Sequence, residues 1–139
     1  MAAQGCVVPL SRPAVRRVVA AVLRGERRRV RLVSVTFLSP SRMRRLNRQS
    51  LGSNAVTDVI AFGLAHRRRY LADLYLCPAY ARASARAARV AWREELVRVL
   101  VHGLLHALGY DHPAGTGRTT SRMWRRQERY VARLTRRTP

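Results

Sequence analysis

The chain has no lysine, only seven acidic residues, two cysteines and no long apolar run. Each shortage excludes something. Cys6 and Cys77 cannot frame a disulfide-rich fold and do not form a Cys-x-x-Cys metal knuckle, so they read as unpaired thiols of a reducing compartment. No apolar stretch approaches the roughly 18 residues that a membrane-spanning helix needs. The opening MAAQGCVVPLSRP lacks both a charged start and a sustained apolar segment and does not read as a secretory signal. A cytoplasmic protein without a membrane partner is therefore expected. The scarcity of acids leaves 28 basic residues, every one an arginine, and a formal charge of +21. A genome that favours arginine codons accounts for arginine in place of lysine, but not for 28 bases against 7 acids. So positive a surface attracts polyanions, and nucleic acid is the commonest of them in cytoplasm. The guanidinium fork also suits bidentate contact with phosphate.

With 139 residues, 47% of them hydrophobic, there is material for one compact domain. The expected layout is a flexible tail over 1–10, a single domain over 11–135 and a short C-terminal tail over 136–139. Ser11 followed by Pro13 marks a helix start, and Val15, Val18, Val19, Val22 and Leu23 carry helical spacing up to Gly25. Val30 to Leu38 is rich in branched residues and reads as a strand. Ser39-Pro40 opens a short helix through Met43 and Leu46, followed by a polar turn over 49–56. Thr57 to Phe62 and Leu71 to Leu76 are further strand candidates, separated by a loop at His66-Arg-Arg-Arg69. Alanine-rich 79–91 favours helix. Trp92 to Leu108 is the strongest helix, with Leu96, Val99, Leu100, Leu104 and Leu108 on one face and Gly109 as its stop. A basic amphipathic helix is expected over 119–135. These elements make an α+β domain with a small mixed β-sheet flanked by helices.

Three of the four histidines fall in His102-Gly-Leu-Leu-His-Ala-Leu-Gly-Tyr-Asp-His112. Four residues of helix turn through about 400°, so His102 and His106 face the same way with Cβ atoms about 5–6 Å apart. Gly109 ends the helix, and His112 returns as a third donor. Three imidazoles with one coordination position open suit a catalytic zinc ion, one per chain. His66 reads as a solvated residue. The metalloprotease pattern His-Glu-x-x-His places a general base after the first ligand, but Gly103 stands there instead. Zinc can lower the pKa of its water to about 7, so the base can be supplied from elsewhere. Asp111 is a candidate for carboxylate support of the site or for a turn residue. Glu95, on the helical face of His102, reads more simply as a helix-N-terminus carboxylate.

The histidine segment resembles the signature of the YbeY family of bacterial rRNA maturation factors, His-Gly-x-Leu-His-Leu-x-Gly-Tyr-Asp-His, with Ala107 for a leucine. Leu46-Asn47, Thr57-Asp58-Val59-Ile60-Ala61-Phe62, Ala72-Asp73-Leu74-Tyr75-Leu76, Glu94-Glu95-Leu96, and Met123 with Glu128 are similar to further family segments. The resemblance runs from about residue 30 to 131. It implies a zincin-like fold and a metal-dependent endoribonuclease specific for single strands. The implied task is 3′-end maturation of small-subunit rRNA and ribosome quality control, with rRNA and the small subunit as partners and no organic cofactor. It carries His102, His106 and His112 over as metal ligands. It also implies an arginine four residues after Asn47, where this chain has Leu51, which cannot hydrogen-bond a phosphate. Arg48 is the nearby candidate to supply that charge. Val56 replaces the proline before the Thr-Asp pair. A non-catalytic rRNA-binding assembly factor with a structural zinc is the alternative, and a metallopeptidase is disfavoured by Gly103 and the basic surface.

Overall fold

The structure, a computed structural model, describes residues 1–52, 57–66, 69–110 and 121–136. Its elements run β1 (Ala2–Gln4), α1 (Arg12–Gly25), β2 (Val30–Leu38), α2 (Pro40–Leu51), β3 (Val59–His66), β4 (Arg69–Leu76), α3 (Pro78–Ala88), α4 (Trp92–Ala107) and α5 (Arg122–Thr135). The strands form one sheet in the order β1-β2-β4-β3. β1, β2 and β4 are parallel, and β3 is antiparallel to β4. The α+β domain with a small mixed sheet and flanking helices is therefore what the chain forms.

Local chemistry starts the helices where the sequence places them. Ser11, Ser39 and Ser121 adopt extended backbone and accept a hydrogen bond from the third residue on, which satisfies a helix-end N–H that has no intrahelical partner. At the end of α4, Gly109 has φ 103°, its N–H bonds to the His106 carbonyl, and the Tyr110 N–H bonds to the Leu105 carbonyl. This crossed pair closes a helix in the left-handed region, which glycine enters without strain.

Side-chain alternation splits the sheet into two faces. Val35, Phe37, Ala72, Leu74 and Leu76 pack under α1 and α4, where Val15, Val18, Val22, Leu96, Leu100 and Leu104 complete the main core. On the opposite face, Leu38, Ile60 and Cys77 are buried with Met43 of α2. Close approach of α4 to β3 depends on two glycines. A Cβ on Gly103 would lie 2.8 Å from Val59 Cγ2, and one on Gly63 would lie 2.2 Å from the Ala107 carbonyl oxygen. The position after His102 is thus filled by the sheet and has no room for a side chain.

Several expectations need correction. The tail expected over 1–10 is built into the fold: β1 pairs in parallel with Thr36–Leu38, and Leu10 is buried in the core. The helix opened by Pro40 runs through Leu51, so the polar stretch 49–51 is helical, and Gly52 closes it at φ 71°. The loop expected at His66–Arg69 is narrower than expected, because His66 pairs with Arg69 at the end of the β3–β4 hairpin. Gly25 is the last residue of α1, as expected, and it also makes room for Tyr130, whose hydroxyl lies 2.2 Å from where a Cβ would sit. The second half of 49–56, including Val56, lies outside the described residues.

Candidate metal centre

Helix α4 is buried along most of its length, and the exceptions near its C-terminal end are the two histidines. Leu100, Val101, Gly103, Leu104, Leu105 and Ala107 are buried while His102 and His106 are half-exposed. Their rings stand edge to face at 80°, with centroids 4.6 Å apart. A single helical turn therefore presents two imidazoles to one small volume, as the spacing predicts.

The setting of His102 is defined by its neighbours. Its Nδ1 is 2.6 Å from Oε1 of Gln127, a residue of α5 that is only 2% exposed. The Gln127 amide nitrogen donates to Glu128 Oε2 at 3.1 Å. Arg98 holds that carboxylate through Nε and Nη2, with contacts of 2.9 to 3.2 Å, and reaches Glu95 through Nη1 at 2.7 Å. Burial works to lower the Arg98 pKa, but its bonds to Glu128 and Glu95 outweigh that and raise it. Gln127 is a residue that sequence reasoning missed, since its spacing from His102 carries no local signal.

These residues fit a metal. Zinc binds imidazole nitrogen lone pairs, and a histidine ligand ordinarily donates its other ring N–H to a fixed acceptor. His102 Nδ1 has such an acceptor within reach in Gln127 Oε1, and His106 stands beside it one turn on. Asp111 and His112 lie outside the described residues. Their approach is visible only as far as Tyr110, whose hydroxyl donates to Glu26 Oε1 at 2.6 Å.

Glu26 is the centre of a second polar cluster. Its side chain is 4% exposed and also accepts from Tyr130 at 2.5 Å and from Arg126 at 3.0 Å. Burial pushes its carboxyl upward, but the bonds from Tyr110, Tyr130 and Arg126 outweigh that and hold it below the usual carboxylate range. Burial, then the bond to Glu26, pushes Tyr130 up to about 12.

Glu95 is bound to Arg98, in keeping with an ordinary structural carboxylate. Arg48 is exposed on α2, which covers the sheet face opposite α4. Leu51 is the last residue of α2, and its side chain, like that of His66, lies outside what the structure describes. Burial raises the thiol pKa of Cys6 and of Cys77, which disfavours either as a nucleophile. Among the described residues, no helix is long and apolar enough to cross a membrane.

A family model described as Endoribonuclease YbeY matches residues 9–135. A Persephonella marina protein of that name is 38% identical over 85 residues, covering 58% of this chain and 56% of the relative. A Geobacillus kaustophilus protein of the same name is 37% identical over 114 residues, covering 73% of this chain and 72% of the relative. Against several of these relatives the chain thus spans little more than half of their length. The solution structure of a Thermotoga maritima protein is similar with a TM-score of 0.67 and 26% identity, over 96% of this chain and 87% of the other.

Proposed function

This chain belongs to the Endoribonuclease YbeY family, and from that premise we propose that it is a zinc-dependent endoribonuclease. The substrate we assign is single-stranded RNA, in 3′-end maturation of small-subunit rRNA and in ribosome quality control, within the cytoplasm. The observation that carries the reading is the His102–His106 pair: two half-exposed rings 4.6 Å apart on the otherwise buried C-terminal half of α4.

In this reading His102, His106 and His112 hold one zinc ion. When bound, the ion supplies Lewis acidity toward a phosphoryl oxygen and a water acidified toward neutral pH. The chain's own residues do the rest. His102 and His106 orient the site from a rigid, buried helix, and Gln127 holds His102 in place. Asp111 is assigned to support of the site. Exposed arginines bind the RNA backbone, Arg48 among them, and neutralise phosphate charge along the strand. Gly103 leaves no space for the carboxylate that a peptidase of the His-Glu-x-x-His type uses.

The purified protein is expected to hold about one equivalent of zinc and to cleave single-stranded RNA, with both properties lost in His106→Ala. Undiminished cleavage by that variant would overturn the mechanism. RNA binding that persists without cleavage, with ribosome assembly intact in cells carrying a folded ligand variant, would favour the assembly-factor alternative. Leu51→Arg in the same assay sharpens the result: a large gain would mean that the native leucine limits catalysis.

A further inference from the structure

Arg98 and His102 lie four residues apart on α4, and Gln127 and Glu128 are adjacent on α5. The four side chains make one line across the helix pair: Arg98 to Glu128 at 2.9 Å, Glu128 to Gln127 at 3.1 Å, and Gln127 to His102 at 2.6 Å. Direction along this line is not arbitrary. Arginine only donates, and an ionised carboxylate only accepts. The Gln127 group facing Glu128 must therefore be its NH2, which turns the carbonyl oxygen toward His102. A carbonyl only accepts, so His102 Nδ1 must carry a proton, and in the neutral imidazole Nε2 then carries the lone pair. Rotating the amide by 180° would set its carbonyl against a carboxylate and its NH2 against Nδ1. That would select the other tautomer, in which Nε2 bears the proton and cannot bind a cation.

We propose that Gln127 is a positioning residue that fixes the His102 tautomer, and that the Arg98–Glu128 pair is the lock that orients the Gln127 amide. Glu128 and Arg98 then govern a ligand that neither of them touches. The polarity starts from a permanent charge: the guanidinium donates to both oxygens of Glu128, and the Gln127 amide passes that direction on to the ring. The effect on metal binding rests on the zinc reading given above, whereas the tautomer does not depend on any metal.

The test is therefore made first on metal-free protein, by long-range 1H–15N NMR of the imidazole nitrogens. Wild type is expected to show His102 protonated at Nδ1. Gln127→Glu keeps an acceptor at the same reach and is expected to retain that tautomer, while the near-isosteric Gln127→Met is expected to lose the preference. Zinc affinity, read by competition with a chromophoric chelator, should fall about 10- to 100-fold in Gln127→Met. It should fall less in Glu128→Gln, where the amide can turn. Wild-type His102 protonated at Nε2, or a folded Gln127→Met variant with unchanged tautomer and unchanged zinc affinity, would sink the proposal. Wild-type protein that binds no zinc yet shows the Nδ1–H tautomer would refute the metal reading and leave the positioning assignment standing.

Discussion

Helix α5 carries a polar cluster on each of two flanks, and the two are built differently. On one flank Arg126 and Tyr130 meet Glu26 and Tyr110. The carboxylate takes up donors from three side chains and is almost wholly withdrawn from water, so the cluster closes around a buried acceptor, with Arg126 and Tyr110 half-buried at its edge. On the other flank Gln127 and Glu128 meet Arg98 and His102, and the line of bonds ends on a half-exposed ring. A closed cluster can contribute only stability and placement. A cluster whose last member faces outward also sets the chemistry of that member. The contrast separates structural from functional polar groups on a single helix, which composition alone cannot do.

The largest effect is expected from breaking the closed cluster. Glu26→Ala leaves two tyrosine hydroxyls and a guanidinium without their acceptor, and should cost about 3 kcal/mol in denaturant unfolding. The His102 tautomer should be unchanged in this variant; a shift in it would show that the two flanks are coupled. A smaller stability loss, about 1–2 kcal/mol, is expected from Arg98→Leu, because its pair with Glu128 is partly solvated. That variant should also weaken zinc binding, which Glu26→Ala reaches only through Tyr110. Equal stability losses in the two variants would mean that both clusters are equally structural.

The smallest effect is in pH dependence. Glu26 has a folded pKa below its unfolded value, so its contribution is fully present above about pH 4.5 and is lost as pH falls through the depressed folded pKa. Tyr130 works at the other end: its contribution is present below about pH 10 and is lost as pH rises toward about 12. Thermal melts of wild type against Glu26→Gln should show a shallower acid limb in the variant. Parallel acid limbs would mean that other carboxylates dominate.

What was legible in the sequence was what repeats within a few residues. Serine caps, the spacing of Val15, Val18 and Val22, the branched run of β2 and the glycine stop at Gly109 all act within one or two turns of chain, and the structure has them where expected. Other features are decided by a distant surface. Ala2–Gln4 becomes a strand only because Thr36–Leu38 offers an open edge. Gly25 is small because Tyr130, more than a hundred residues later, fills the space above it. Gly103, which stands where a metalloprotease has its base, is also the contact point for Val59.

The histidine pair shows the same division. By itself the sequence determined that His102 and His106 share a helix face and that the helix stops before His112, because a turn of helix and a glycine cap are local properties of the backbone. Only the tertiary structure decided how His102 is held. Its partner Gln127 sits on another helix, 25 residues away, and is oriented by an arginine from the first helix. Hydrogen bonds between helices depend on how the helices pack, and no spacing along the chain records that.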